Sequence, residues 1–343
     1  MFDFLDTLLS GQNLLIAIGI IIIGCVLLVF GADRLVDGAS GLAKKMGISN
    51  LTIGLTVVAF GTSMPEFVVN MVAAINNNTE IAITNVLGSN NINIFVILGL
   101  TALILPITSK KESRDFDIPW SILAGILTLL LATYTSPWGN VPQKLGVFTL
   151  QEGYITRVGG ILLLLCFIIF LWHSLKVSKK TNDHTQEESY TPLSPIKAVI
   201  LIILGLMCLV LGGEFIVKSA TSIAHHLGVS DAIIGLTIVA LGTSLPELAT
   251  SCIAAAKGNC DIALGNILGS NIFNVFFILG MSAIVTPLPT YSGLWLDALM
   301  VTLGSVLIMI FVYFTKKHEI KRWHGGVFVT LYICYLTYRL LTL

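Results

Sequence analysis

The chain of 343 residues contains ten apolar runs long enough to cross a membrane. A membrane-spanning helix needs about 20 consecutive, mostly apolar residues. The predicted spans are 14–36, 48–75, 79–105, 119–134, 155–175, 196–217, 231–256, 260–286, 293–314 and 323–342. Charged residues make up only 11% of the chain, whereas a soluble domain carries roughly 25%. The sequence therefore predicts an all-α integral membrane protein with ten transmembrane helices.

A polar stretch, residues 176–195, divides these runs into two groups of five. We expect an N-terminal repeat over 1–175, a cytoplasmic linker over 176–195 and a C-terminal repeat over 196–343. The first apolar run has no basic flank before it and is longer than the apolar region of a signal peptide, so we interpret it as a retained span.

The distribution of Lys and Arg predicts the orientation in the membrane. If the N-terminus lies outside, the connections on the inner side hold 15 of the 19 Lys and Arg residues, as the positive-inside rule requires. We therefore expect a multi-pass protein of the plasma membrane with both termini outside. The lipid bilayer is the expected partner, and zero formal net charge argues against nucleic acid.

The second half of the chain repeats part of the first. Residues 31–99 and 212–280, which differ in position by 181, share 32 identities in 69 ungapped pairs. The most similar regions are 48–105 and 231–286. Because each half has an odd number of spans, the second repeat must cross the membrane in the opposite direction. Inverted repeats are typical of secondary transporters, which hold their substrate near the midplane between the two repeats.

A hexapeptide stands in the middle of one span of each repeat. Residues 61–66 are Gly-Thr-Ser-Met-Pro-Glu, and residues 242–247 are Gly-Thr-Ser-Leu-Pro-Glu. Proline lacks an N–H group and clashes with the carbonyl four residues earlier, so each helix should break and free carbonyls at 59–61 and 240–242. A carboxylate at membrane depth is costly and usually marks a functional site.

The next span of each repeat adds oxygen ligands on one helical face. These are the side chains of Ser89 and Asn93 and their counterparts Ser270 and Asn274. Carboxylates, hydroxyls, amide oxygens and carbonyls together suit Ca²⁺, which takes 6–8 oxygen ligands. Singly, such polar residues often only join helices. Asp33 and Glu214 also match across the repeat, but we expect them to lie at solvated helix ends.

The doubled hexapeptide, each copy followed by Gly-Ser-Asn and a further Asn, resembles the alpha repeats of the calcium/cation antiporter superfamily, in particular its prokaryotic sodium/calcium exchangers. The resemblance implies ten helices in two inverted halves, with the second and seventh broken at the site and the first and sixth sliding over the core. It implies that Glu66 and Glu247 are central ligands shared by Ca²⁺ and Na⁺. The other ligands that it implies are Thr62, Ser63, Thr243, Ser244, Ser89, Asn93, Ser270, Asn274 and the carbonyls of Ala59 and Ala240.

One position departs from the pattern of some relatives, which carry Asp where this chain has Asn274. With Asn at 93 and at 274, the site has two carboxylates instead of three. This departure argues against an additional proton or potassium site.

We therefore predict a secondary active antiporter that exchanges Na⁺ for Ca²⁺ by alternating access. It should not be an enzyme, should need no cofactor, and should transport as a monomer; the sequence does not predict its oligomeric state. The first alternative is a proton/calcium exchanger whose glutamates titrate. An intramembrane hydrolase with two catalytic acids and a passive cation channel are more remote alternatives.

Overall fold

The computed structural model describes residues 14–133, 153–178, 193–228, 240–291 and 293–342, and these are mostly helical. Most of the predicted linker and the segment before the second hexapeptide lie outside the described residues. In the first half, the elements are α1 (Leu14–Met46), α2 (Asn50–Ile53), π1 (Gly54–Val58), α3 (Ala59–Thr62), α4 (Met64–Ile75), α5 (Thr79–Asn91), π2 (Ile92–Ile97), α6 (Leu98–Ile104), β1 (Ile107–Thr108), π3 (Ser113–Asp117), α7 (Ile118–Thr133), β2 (Tyr154–Ile155) and α8 (Arg157–Ser178).

The second half follows the same order in its described part. Its elements are α9 (Pro195–His226), α10 (Ala240–Thr243), α11 (Leu245–Ala256), α12 (Cys260–Ile272), π4 (Phe273–Leu279), α13 (Gly280–Val285), β3 (Leu288–Pro289), α14 (Leu294–Phe314), β4 (Glu319–Ile320) and α15 (Arg322–Thr342). The strands are two residues long and form two antiparallel pairs, β1 with β4 and β2 with β3.

Seven described helices are long and apolar enough to cross a membrane, and one bent pair makes an eighth candidate. The bent pair is Asn50–Thr62 with Met64–Ile75, whose axes differ by 49°. Three further described helices, α10, α11 and α15, lie outside these spans. The chain is therefore a helical membrane protein. Helix α1 runs to Met46, ten residues beyond the predicted end of the first span, so Asp33 lies within a helix and not at its end.

The centre of the molecule is formed by two continuous helical rods of equivalent position in the repeat. In the apolar 18-residue stretches of Thr79–Ile104 and Cys260–Val285, 72% and 83% of the residues are buried inside the protein, compared with 28% for Leu14–Met46. Each rod contains a π-helical segment, π2 or π4, in its middle. Single π-helical turns inside α-helices are frequent at functional sites. These rods form the wall against which the hexapeptides pack.

Helices α1 and α9 form a separate pair in close contact along their length. A methyl group added to Gly31 would lie 2.7 Å from the Gly205 carbonyl oxygen, and one added to Gly24 would lie 2.8 Å from the Gly212 carbonyl oxygen. Seven residues further along α1, Gly38 meets the backbone of α9 in the same way. Small residues at regular spacing allow membrane helices to approach this closely. The two helices thus pack backbone to backbone.

Candidate cation site

Both hexapeptides break their helices at the serine, as the prolines predict. Ser63 has φ −86° and ψ 10°, and Ser244 has φ −91° and ψ 5°. With these backbone angles, one helix ends at each serine and the next begins after it. Pro65 and Pro246 therefore lie in the first turn of α4 and α11, where a missing N–H group costs nothing. The serine and glutamate side chains of both motifs are buried in the protein.

The two motifs meet through hydrogen bonds that cross from one repeat to the other. Ser63 Oγ donates to Glu247 Oε1 at 2.8 Å, and Ser244 Oγ donates to Glu66 Oε1 at 3.4 Å. Each glutamate is 1% exposed. Ser270 Oγ, from α12, also donates to Glu247 Oε1, at 3.5 Å. The serine of each hexapeptide therefore contacts the carboxylate of the other repeat, and the two motifs lie next to each other in the protein.

Four buried asparagines form a second crossed arrangement beside the glutamates. Asn93 Nδ2 donates to Asn271 Oδ1 at 3.1 Å, and Asn274 Nδ2 donates to Asn90 Oδ1 at 3.0 Å. Asn90 Nδ2 in turn donates to the Asn271 backbone oxygen at 3.1 Å. Because the amide nitrogens of Asn93 and Asn274 are engaged in this way, their amide oxygens are the atoms that remain for another ligand.

Several buried oxygens of the site have no hydrogen-bond partner within the described part of the protein. They are Glu66 Oε2, Glu247 Oε2, Ser89 Oγ, Asn93 Oδ1 and Asn274 Oδ1. Buried polar atoms without partners are rare in native proteins and need an explanation. All of these atoms can coordinate a hard cation, so the donor set fits Ca²⁺ or Na⁺. Among the described residues, no group of three or more His, Cys, Asp or Glu side chains is arranged to hold a metal ion.

The remaining predicted ligands lie beside this centre. Thr62 is buried, and its Oγ1 donates to Asn266 Oδ1 at 3.1 Å and to the Ala59 carbonyl at 3.4 Å. The Ala59 carbonyl also accepts the Ser63 N–H at 3.0 Å, so it is not fully freed by the break. Thr243 is half-buried at the end of α10, which begins at Ala240.

Asparagines that were not predicted as site residues hold the broken helices in place. Asn85 Nδ2 donates to Asn70 Oδ1 at 2.6 Å and to the Glu66 carbonyl at 3.5 Å. In the second repeat, Asn266 Nδ2 donates to the Glu247 carbonyl at 3.3 Å. The signal was present, because Asn85, Asn90, Asn266 and Asn271 are identical across the repeat, but their spacing does not distinguish a supporting residue from a ligand.

The sequence profile of the family described as sodium/calcium exchanger protein matches residues 16–176 and 197–341. The chain belongs to the sodium/calcium exchanger family. As a member of this family it is a membrane antiporter and not an enzyme.

Relatives of this exchanger include a putative antiporter, CaxA, from Alkalimonas amylolytica, 36% identical over 94% of this chain and 98% of the relative. The sodium/calcium exchanger MaX1 of Methanosarcina acetivorans is 32% identical over 92% of this chain and 96% of the relative. Among solved structures, the sodium-calcium exchanger NCX_Mj soaked with 10 mM Na⁺ and no Ca²⁺ matches with a TM-score of 0.78 and 31% identity, over 95% of this chain and 99% of that one.

Proposed function

We propose that this exchanger moves Na⁺ and Ca²⁺ in opposite directions across the membrane through the site around Glu66 and Glu247. The observation that supports this most directly is the crossed bonding of the two motifs. Ser63 and Ser244 each hold one oxygen of the opposite glutamate, and the second oxygen of each glutamate stays unpaired. Two buried carboxylates need a compensating positive charge, and no ion pair within the described part of the chain supplies one to either.

The proposed coupling follows from competition for the same oxygens. One Ca²⁺ would balance both carboxylates and bind their free oxygens together with the amide oxygens of Asn93 and Asn274. Na⁺ would use the same carboxylates, with the hydroxyls of Thr62 and Thr243 and the carbonyls of Ala59 and Ala240 on the flanks. Ca²⁺ and a full set of Na⁺ would not fit at once. The protein therefore changes conformation with either Ca²⁺ or Na⁺ bound, and the two ions cross the membrane in opposite directions.

We further propose ten spans in two inverted five-helix repeats, with alternating access by movement of α1 and α9 over the remaining core. Helices α1 and α9 have equivalent positions in the two repeats and run antiparallel, since Gly24 faces Gly212 and Gly38 faces Ala198. This direction supports the inversion. The proposed location is the plasma membrane with both termini outside, and a single chain contains both halves of the site.

The test is uptake of radioactive Ca²⁺ by liposomes that contain the purified protein. An outward Na⁺ gradient should drive uptake, and a pH gradient of equal size should not. Uptake that follows the pH gradient and ignores Na⁺ would identify a proton/calcium exchanger instead. Ca²⁺ flux that continues without any counter-ion on the opposite side would identify a channel.

A further inference from the structure

Lys257, in the turn between α11 and α12, is bound to two carboxylates of α1. Its Nζ lies 2.7 Å from Asp33 Oδ1 and 2.6 Å from Asp37 Oδ1, and it also donates to the Asp33 backbone oxygen at 3.1 Å. Two residues further on, Asn259 Nδ2 donates to Ser40 Oγ at 3.1 Å. These contacts join α1 to the turn at one end of the molecule.

The charges in this cluster depend on one another. Asp33 and Asp37 are four residues apart on one helical face, where like charges repel. Burial alone would lower the pKa of Lys257, but its hydrogen bonds to Asp33 and Asp37 and their charges outweigh burial and raise this pKa. Arg34 also contacts Asp33, at 3.2 Å. Lys257 therefore stays protonated, and its charge is what allows the two carboxylates to lie side by side.

The repeat does not reproduce this cluster at the other end of the molecule. At the offset of 181 residues, Lys257 corresponds to Asn76, and Asp37 corresponds to Lys218. Lys218 Nζ lies 3.8 Å from Glu214 Oε1 of its own helix. Since Asn76 has no charge, the residues equivalent to Lys257, Asp33 and Asp37 cannot form the same cluster.

The hydrogen bond between Asn259 and Ser40 is also not repeated by the equivalent residues of the other half. Thr221 is the counterpart of Ser40. Within the described part of the chain, its buried hydroxyl has no hydrogen-bond partner.

The α1–α9 pair connects this cluster to the cation site. Because glycines bring the two backbones into contact, a displacement of α1 must move α9 as well. Helix α9 lies against both hexapeptides: the Leu206 side chain contacts Gly61, and the Val217 side chain contacts Gly242. A contact that holds α1 in place therefore also fixes the side chains that cover the two motifs.

We propose that Lys257, Asp33 and Asp37 form a one-sided latch, which holds the α1–α9 pair against the core and favours the state that is closed at the latch end. This proposal rests on the proposed alternating access. When the pair moves, the lysine must leave both carboxylates, and the repeat-equivalent residues Asn76, Glu214 and Lys218 cannot form the same cluster in its place. The two states of the exchanger are therefore unequal in energy although the site is built from two similar halves. By our orientation the latch lies at the inner face.

The test measures opening at the latch end without transport. Ala43, on α1 near the latch, is fully buried and belongs to the same apolar cluster as Ala255 and Ile262. In a variant with all six native cysteines replaced, Ala43→Cys is labelled with a maleimide that cannot cross the membrane, applied at the latch end. Lys257→Met should speed labelling about tenfold, within the range typical of conformational coupling, and Lys257→Arg should keep the original rate.

Lys110→Met is the matched control. Lys110 Nζ lies 2.8 Å from Asp261 Oδ2, so this variant also removes a lysine–aspartate pair close to the turn, but neither partner of this pair belongs to α1. Labelling should stay at the original rate. If Lys257→Met labels no faster, or Lys110→Met accelerates labelling as much, the latch is overturned. Should Lys257→Met fail to fold, Asp37→Asn should give a smaller acceleration, and an unchanged rate would overturn the proposal.

The latch and the proposed exchange can fail separately. Faster labelling of Lys257→Met in a protein that shows no Na⁺-driven Ca²⁺ uptake would support the latch and overturn the exchange. Normal uptake with unchanged labelling would do the reverse. A second measurement is the apparent Ca²⁺ affinity at the latch end, which should rise by the same factor as labelling, because more molecules are open there.

Discussion

Glu66 and Glu247 each give one carboxylate oxygen to a serine of the other repeat and keep the second oxygen free of protein partners. A glutamine at either position could still accept the serine hydrogen bond but would remove one negative charge from the site. A group that only joined the helices would tolerate this change, whereas a cation ligand would not.

We therefore expect Glu66→Gln to reduce Na⁺-driven Ca²⁺ uptake by at least roughly 100-fold, the upper end of the loss caused by removing even an outer-shell partner of a metal site. The variant should still insert and elute as the parent protein does. Glu80→Gln, which changes an exposed glutamate of α5 in the same repeat, is the control and should transport normally. Near-normal uptake by Glu66→Gln would show that its carboxylate is structural.

Asn90 is predicted to act through Asn274, because Asn90 Oδ1 accepts a hydrogen bond from Asn274 Nδ2 at 3.0 Å. Asn90→Ala should leave that amide free to rotate and weaken the apparent Ca²⁺ affinity. The loss of a buried hydrogen bond of about 1–3 kcal/mol corresponds to roughly 5- to 150-fold in affinity. The ratio of Na⁺ to Ca²⁺ affinity should change too, since it depends on the orientation of the Asn274 oxygen.

Asn91→Ala separates this effect from general destabilisation. Asn91 is equally buried and adjacent, but its Nδ2 donates to the Asp297 backbone oxygen at 3.0 Å, away from the glutamates. It should affect stability without changing ion selectivity. Equal selectivity changes in both variants would contradict a positioning role for Asn90.

At the scale of single elements, the contact between α1 and α9 leaves no room for a side chain. Gly31→Ala would place a methyl group 2.7 Å from the Gly205 oxygen and 2.9 Å from Leu209 N, both backbone atoms that cannot turn away. Overpacking typically costs about 1–3 kcal/mol. We expect a lower thermal unfolding temperature in detergent and slower Ca²⁺ exchange. Gly19→Ala, in the same helix with no atom within 4 Å of the added methyl, should be neutral or stabilising.

Some elements could be predicted from sequence and others could not. Proline in each hexapeptide predicted the break at residue 63, which is confirmed. The extension of α1 to Met46 was not predicted because Asp33, Arg34 and Asp37 interrupt the apolar run, which is how a membrane span usually ends. In the folded protein, Lys257 of the other half pairs with both aspartates, so the helix continues through them. The expectation of a solvated helix end at Asp33 was therefore wrong. Asp37 and its partner Lys257 are 220 residues apart, so the sequence around Asp37 does not predict this ion pair.

At the scale of the whole molecule, the repeat predicted which residues are equivalent, but not which of them meet. Ser63 could have bound Glu66 of its own motif; the structure instead pairs it with Glu247. Such crossing depends on how the two halves pack, and apolar surfaces specify this only through shape. The same applies to the glycines of α1, whose spacing of seven residues was visible and whose partners on α9 were not.

The lack of a basic partner for Glu66 and Glu247 within the described residues has an electrical consequence. When both carboxylates are ionised, one Ca²⁺ or two Na⁺ make the loaded site neutral, and a third Na⁺ leaves it with one positive charge. The membrane potential then acts on that loaded form, with about 2.3 kcal/mol per charge for every 100 mV. Exchange of more than two Na⁺ for each Ca²⁺ would thus move net charge and generate an electric current. The membrane voltage would then be a second driving force beside the Na⁺ gradient.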